Sequence, residues 1–411
     1  MATVDTGCCI AGGGPAGIMA GFLLARAGVP VIVLEKHADF LRDFRGDTIH
    51  PSTLELMHEL SLLDAFLRLP HERVEELAGQ VGKERVPIAD FRHLPTRCKF
   101  VALMPQWEFL NFLSQQAQRF AGFRLLMQTY ATALIEEGGR VMGVRAVGPQ
   151  GEFEIRAPLT IAADGRHSLL RDAAGLPVQD FGAPMDVVWL RLSRRDDDPA
   201  QTLGRFDAGN IFITLNRDDY WQCAFVISKG GFERIKIEGL AAFQANLARL
   251  APALKDRVEE IQSWDDVKLL RVTVDRLRRW HRPGLLCIGD AAHAMSPIGG
   301  VGINLAIQDA VATANFLAGK LLAGRLDDSD LAAVQRRREW PAKATQWAQL
   351  QIQRRIVSPV LGRDQPLGVP WPLRLLQRWP MLRRLPARLL GLGVRPEHIH
   401  SRNAQTTPNA W

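Results

Sequence analysis

Six residues near the N-terminus, Gly12-Gly13-Gly14-Pro15-Ala16-Gly17, constrain the fold of this chain more than any other stretch. They follow the apolar run Gly7-Cys8-Cys9-Ile10-Ala11, which reads as a short buried strand. They lead into an apolar stretch over 15–27 in which Ile18, Phe22 and Ala25 are spaced for one buried helical face. After Gly28 a second buried strand is predicted over 29–34, ending on Glu35 and Lys36. Strand, glycine turn, helix and strand in this order form the βαβ unit of a dinucleotide-binding fold. Gly12 permits the tight turn, Gly14 lets the backbone approach a pyrophosphate, and Gly17 lets the helix pack closely on the sheet. The helix start at Pro15 and Ala16 offers the unpaired N–H groups that follow Pro15, and a positive dipole end, to phosphates. Glu35, 21 residues after Gly14, is placed to accept from a ribose diol. This unit alone leaves FAD and NAD both open.

Two distant stretches narrow the choice. A buried strand is predicted over 158–163, ending in Asp164-Gly165-Arg166-His167-Ser168 and followed by a helical stretch over 169–174. Another, over 284–288, ends in Gly289-Asp290-Ala291-Ala292-His293. It continues through Ser296-Pro297-Ile298-Gly299-Gly300-Val301-Gly302 into a long helix starting near Ile303 and Asn304.

With Gly12-x-Gly14-x-x-Gly17, Arg45-Gly46, Asp164-Gly165 and Gly289-Asp290 with 297–304 in this order, the chain resembles the group A flavoprotein monooxygenases. These are the single-component aromatic hydroxylases typified by para-hydroxybenzoate hydroxylase, and the resemblance spans roughly residues 5–325. It implies an α/β fold: a Rossmann-type FAD-binding domain, an inserted β-sheet substrate domain and a helical C-terminal region. In that pattern Asp290 holds a ribityl hydroxyl of FAD. The stretch Gly299-Gly300-Val301-Gly302, which Pro297 leads into and Asn304 follows, presents backbone N–H groups to the pyrophosphate and the pyrimidine edge of the ring. Asp164-Gly165 supports flavin placement and transient nicotinamide binding, and Arg45 approaches the pyrophosphate. Gln106, opening a helix over 107–120, stands where many relatives carry arginine; it keeps a hydrogen bond and loses the charge. An N-cap role for Asp290, an ordinary turn at Asp164 and a solvated loop cation at Arg45 are the structural alternatives. His293 reads as a structural histidine, and no catalytic residue is assigned.

The resemblance implies an FAD monooxygenase reduced by NADH or NADPH. It would insert one oxygen of O2 into an aromatic or other electron-rich organic substrate through a flavin C4a-hydroperoxide. The rival reading on the same fold is an FAD-dependent dehydrogenase or a reductase of isoprenoid double bonds. The expected division is FAD domain at 1–80, 106–178 and 276–325, substrate domain at 81–105 and 179–275, a helical region at 326–400 and a disordered tail at 401–411. Strands over 187–192, 210–215 and Tyr220–Ser228, with a helix over Leu240–Leu250, build the substrate lobe. Trp189, Phe212, Trp221, Gln222 and Phe225 are candidates to line its pocket, although simple sheet packing explains each equally well. His50, beside Pro51 at a helix start, is a weaker candidate.

Composition excludes several classes. No run approaches the ~20 apolar residues of a membrane span, and no finger, basic-zipper or RNA-binding signature points to nucleic acid. The net charge of +7 suits anionic ligands. Cys8, Cys9, Cys98, Cys223 and Cys287 have no metal-ligand spacing and read as reduced apolar side chains, so a cytoplasmic setting is expected. A long helical stretch is expected from Asp328 to about Ile356, bent at Pro341. Within 370–395, leucines and tryptophans alternate with arginines. Such basic amphipathic pieces either pack on the protein or lie peripherally on a membrane.

Overall fold

The computed structural model of the chain describes residues 2–41, 48–198, 203–207, 209–217, 219–362 and 368–404. Arg45 and Gly46 fall outside the described residues. The expected βαβ unit forms from Cys8–Ala11, Pro15–Arg26 and Val31–Leu34. Its strands are buried along their whole length, as suits a parallel sheet covered on both faces.

The central sheet has six strands in the order His281–Arg282, Leu285–Cys287, Thr160–Ala162, Cys8–Ala11, Val31–Leu34 and Phe123–Leu126. All are parallel except the antiparallel edge strand His281–Arg282. The three strands carrying the glycine turn, Asp164 and Asp290 are therefore immediate neighbours. Helices Pro15–Arg26 and Gly302–Leu322 pack in the same core with this sheet. The second of these is apolar enough to cross a membrane by length and composition, but its apolar window is 83% buried inside the protein.

A seven-stranded sheet forms the second lobe, in the order Lys268–Leu270, Met185–Ser193, Tyr220–Ser228, Asn210–Asn216, Leu203–Asp207, Glu76–Val81 and Glu84–Asp90. The boundary expected at residue 80 is corrected here. Glu76–Val81 pairs parallel with Leu203–Asp207 and so belongs wholly to the substrate sheet.

Both faces of this sheet are covered, and register decides what each side chain does. Trp189 pairs with Ala224, and Ala224 with Ile213, so these three share one face. That face packs in one cluster with Ile298. Leu190 pairs with Cys223 on the opposite face, which carries Phe212, Trp221 and Phe225 against Phe243 and Leu247 of helix Leu240–Leu250. Phe212, Trp221 and Phe225 are thus core residues behind the sheet and not pocket lining. Strand Tyr220–Ser228, which carries Trp221 and Phe225, gave no alternation to read, because its seven residues 221–227 are all buried.

Helix Asp328–Ile352 contains Pro341 and ends in a π-helical turn over Gln353–Val357. It packs on the FAD lobe through Leu331, Val334 and Ala342. The tail is ordered further than expected. Arg26 donates to the Ser401 carbonyl at 3.0 Å, and Asn315 accepts from the N–H groups of His400 and Ser401. Only the part beyond residue 404 lies outside the described residues.

Candidate functional site

The site assembles at the carboxyl ends of the three neighbouring strands, where open α/β sheets bind ligands. Gly12 has φ of +107°, and a Cβ there would sit 2.3 Å from the Ala163 carbonyl oxygen, at the end of the neighbouring strand. A Cβ on Gly17 would come 1.9 Å from the Gly12 carbonyl oxygen, so helix and turn touch backbone to backbone. At Gly14, by contrast, an added Cβ would meet no protein atom within 4 Å. Packing therefore requires Gly12 and Gly17, while Gly14 faces open space at the start of a helix that no side chain caps. Glu35 accepts from the N–H of Gly13 at 3.1 Å and from that of His37 at 3.0 Å, fixing the turn against the second strand. Lys36 beside it is exposed, and Gln106 stands half-buried as the first residue of helix Gln106–Ala117.

Asp164 is largely buried and lies within 3.4 Å of the Leu170 N–H, which it accepts through Oδ2. Burial pushes its carboxyl above the usual range against hydrogen bonds from Ser168 and nearby backbone N–H groups. Its Oδ1 is buried without a hydrogen-bond partner, an arrangement that calls for a donor from a bound group. Gly165 beside it takes φ of +88° with open space around it. Asp290 lies 3.4 Å from Arg166 Nε. In the sequence that arginine is indistinguishable from a solvated loop cation; it gains a partner only when the strands are brought together.

The Asn304 side chain has structural partners of its own. Its Oδ1 accepts from the His50 N–H at 2.9 Å and the Thr53 hydroxyl at 2.7 Å, and its Nδ2 donates to Thr48 and Gly300 carbonyls. The side chain clamps the loop, leaving the backbone of the uncapped helix start Gly302–Leu322 as the ligand-facing part. Gly300 is demanded by the same contact: with φ of +61°, a Cβ there would lie 1.9 Å from Thr48 Oγ1. Pro297 and Val301 flank this turn, both in helical backbone conformation.

His50 is buried against the turn, with Nδ1 2.6 Å from the Leu390 carbonyl. Burial pulls its imidazole down to about 4, against hydrogen bonds to the Leu390 and Gly299 carbonyls that favour the charged form. The unfolded chain takes up this proton near the ordinary value of 6.5 and the folded protein only near 4. Stability is therefore lost as pH falls between those values, by roughly 3 kcal/mol in all. His50→Gln is expected to flatten the fall in melting temperature between pH 6.5 and 4 relative to wild type. Parallel slopes in thermal melts of the two proteins would rule this out.

Behind the loop lies a buried ionic network. Asp309 Oδ2 accepts from the Gly289 N–H at 3.1 Å and lies 2.6 Å from His293 Nε2, while its Oδ1 accepts from Arg338 Nε at 3.0 Å. Arg338 reaches on to Glu397 at 3.1 Å and the Arg395 carbonyl at 3.3 Å. Asp309 and Arg338 are wholly buried. His293 is thus a structural partner of Asp309. Next to it, Gln346, Gln349 and Gln353 lie on one face of the long helix. They hold the Asp275, Ala294, Ser296 and Ile298 carbonyls and the Ser296 hydroxyl. The signal that could have found the network is Asp309 itself, a lone acid inside the apolar helix.

These residues fit FAD. There is an unpartnered buried carboxylate oxygen at Asp164, room for a phosphate before Gly14, and two uncapped helix starts facing the strand ends. Residues 5–348 match the family described as an FAD binding domain. Over 390 residues the chain is 32% identical to 6-methylpretetramide 4-monooxygenase of Streptomyces rimosus, covering 93% of this chain and 92% of that protein. It is 27% identical to the 12-dehydrotetracycline 5-monooxygenase/anhydrotetracycline 6-monooxygenase of Streptomyces rimosus subsp. rimosus, covering 77% of this chain and 63% of that one. In structure it resembles the anhydrotetracycline hydroxylase OxyS of Streptomyces rimosus, with a TM-score of 0.73 and 24% identity over 96% of this chain and 77% of that one.

Proposed function

The chain belongs to the FAD-dependent aromatic hydroxylases and is a monooxygenase; from that premise we propose that it hydroxylates a polycyclic aromatic substrate at the expense of NADH or NADPH. The observation that carries the reading is the inner face of the second sheet. There Trp189, Ile213 and Ala224 pack together with Ile298, in the turn that leads to the uncapped helix start. A flat apolar molecule would lie between this sheet and the flavin ring, and the 32% identical relative is named for 6-methylpretetramide.

On this reading the backbone at Gly14 and at 301–304 holds the pyrophosphate and pyrimidine edge, Glu35 the ribose, and Asp290 a ribityl hydroxyl. Asp164 Oδ1 accepts from the cofactor or the transient nicotinamide. Bound FAD supplies the activation of O2: one oxygen atom enters the substrate, the other leaves as water, and NAD(P)H provides the two electrons. The apolar sheet keeps water from the reacting face. Gln222 lies on the same face as Trp189 and Ala224 by alternation. It accepts from Arg217 Nε at 3.2 Å, so this pair supplies a polar edge suited to a phenolic oxygen.

Turnover with labelled O2, either nicotinamide and a tetracyclic phenol is expected to put one labelled atom into product per nicotinamide oxidised. Nicotinamide oxidation with a reduced, unlabelled product would favour a double-bond reductase, and substrate oxidation without nicotinamide a dehydrogenase; either would overturn the oxygen-transfer reading. Asp290→Ala is expected to cut flavin absorbance per polypeptide severalfold in purified protein. Full occupancy would remove Asp290 from the cofactor site.

A further inference from the structure

Two short helices at the C-terminal side carry apolar surface that none of the described residues covers. Trp371, Leu375 and Trp379, spaced at successive turns, lie on the outer side of helix Trp371–Arg378 and just past its end. Trp371 is 78% exposed and Trp379 56%. The turn Pro380–Arg383 adds Met381 at 71%, and helix Arg384–Gly391 adds Leu385 at 65% and Leu389 at 54%. Beside each apolar stripe runs an arginine stripe at the same spacing, Arg374 with Arg378 and Arg384 with Arg388, all exposed. Residues 368–396 hold six arginines and no acid.

The outer faces are not needed to hold these helices in place. Leu373 packs in a cluster with Val81, Val86 and Val369, and Ala387, Leu390 and Leu392 pack against Phe91 and Leu94. Arg383 turns inward and donates to the Leu376 and Gln377 carbonyls. The helices therefore pack by one face and present a second.

We propose that this second face docks the enzyme on an anionic lipid bilayer. Exposed tryptophan and leucine beside arginine is the pattern of helices that lie in a membrane interface, with apolar side chains among the acyl boundary and cations at the head groups. A symmetric contact with a second copy would set arginines against arginines with no acid in the segment to offset them. The same segment touches the cofactor turn, since the Leu390 carbonyl meets His50 and a Cβ on Gly299 would lie 2.9 Å from Leu390 Cδ2. Docking would therefore bring the cofactor turn close to the bilayer, where lipophilic substrates collect.

Flotation of the FAD-loaded protein with phosphatidylcholine–phosphatidylglycerol vesicles tests this. Binding is expected to anionic vesicles and to fall about tenfold or more on pure phosphatidylcholine or in high salt. Replacing Arg374, Arg378, Arg384 and Arg388 by Glu is expected to abolish binding while flavin absorbance stays intact. Trp371→Ser with Trp379→Ser should weaken it about tenfold and remove quenching by brominated lipid. Failure of the loaded wild type to float with anionic vesicles would overturn the proposal. So would binding unchanged by these variants, or concentration-dependent dimerisation that the same variants abolish.

Discussion

Arg338→Met is expected to destabilise the protein by about 3–5 kcal/mol, the cost of breaking a buried ion pair by removing one partner. Arg338 and Asp309 are both wholly buried, and the arginine also serves Glu397 and the Arg395 carbonyl. Methionine has a similar reach but leaves Asp309 with only His293 and the Gly289 N–H, and Glu397 with Arg337. That cost is a large share of a typical folding free energy, so urea unfolding at neutral pH should show it directly. A loss below about 1 kcal/mol would mean that the pair contributes no more than a surface bridge. The acid limb provides a second reading. Burial pushes the Asp309 carboxyl up, but His293 and Arg338 outweigh it and hold the group below the usual carboxylate range. Its contribution is present above that range and is lost as pH falls through the depressed folded value. Removing Arg338 raises the folded value, so acid unfolding should begin at higher pH in the variant.

Gly14→Ala is expected to leave the apoprotein as stable as wild type while weakening FAD binding by about 100-fold or more, close to 3 kcal/mol. Gly14 has φ of −75° and ψ of −176°, ordinary for alanine, and the added methyl meets no protein atom within 4 Å. Replacing glycine at such a position even narrows the unfolded ensemble slightly. The methyl does occupy the approach to the helix start, where the pyrophosphate would lie. Gly17→Ala makes the contrast, because its methyl lies 1.9 Å from the Gly12 carbonyl oxygen and must disturb the apoprotein as well. Thermal melts without cofactor and FAD titration by flavin fluorescence separate the two. Unchanged FAD affinity in Gly14→Ala would place the phosphates elsewhere.

The cofactor turn was legible because backbone conformation there depends on a few glycines with a fixed spacing to Glu35, which leaves a mark in one dimension. Asp164 and Asp290 were legible for the same reason, each ending an apolar run. What joins them was not. Arg166 looks like any exposed cation until strands Thr160–Ala162 and Leu285–Cys287 lie side by side. Arg338, which pairs with Asp309, comes from the long C-terminal helix, and Glu397, which pairs with Arg338, from the segment beyond it, both far from Asp309 along the chain. Gly300 and Asn304 were recognised, but the pattern could not reveal that Thr48 and His50 claim them. The substrate sheet hid most, since a strand buried on both faces loses the alternation that tells front from back. Hence Phe212, Trp221 and Phe225 stood beside Trp189 as equals, although register sends them the opposite way.

The placement of Thr160–Ala162 has a consequence for how the chain is made. This strand sits between Cys8–Ala11, synthesised long before it, and Leu285–Cys287, synthesised only after every strand of the second sheet. During translation its outer edge stays unpaired while more than a hundred residues emerge. An open apolar edge of a parallel sheet is slow to close and exposed to aggregation until its partner arrives. Chaperone demand at the ribosome should therefore peak between residues 162 and 287 and drop once the last parallel strand is free to insert.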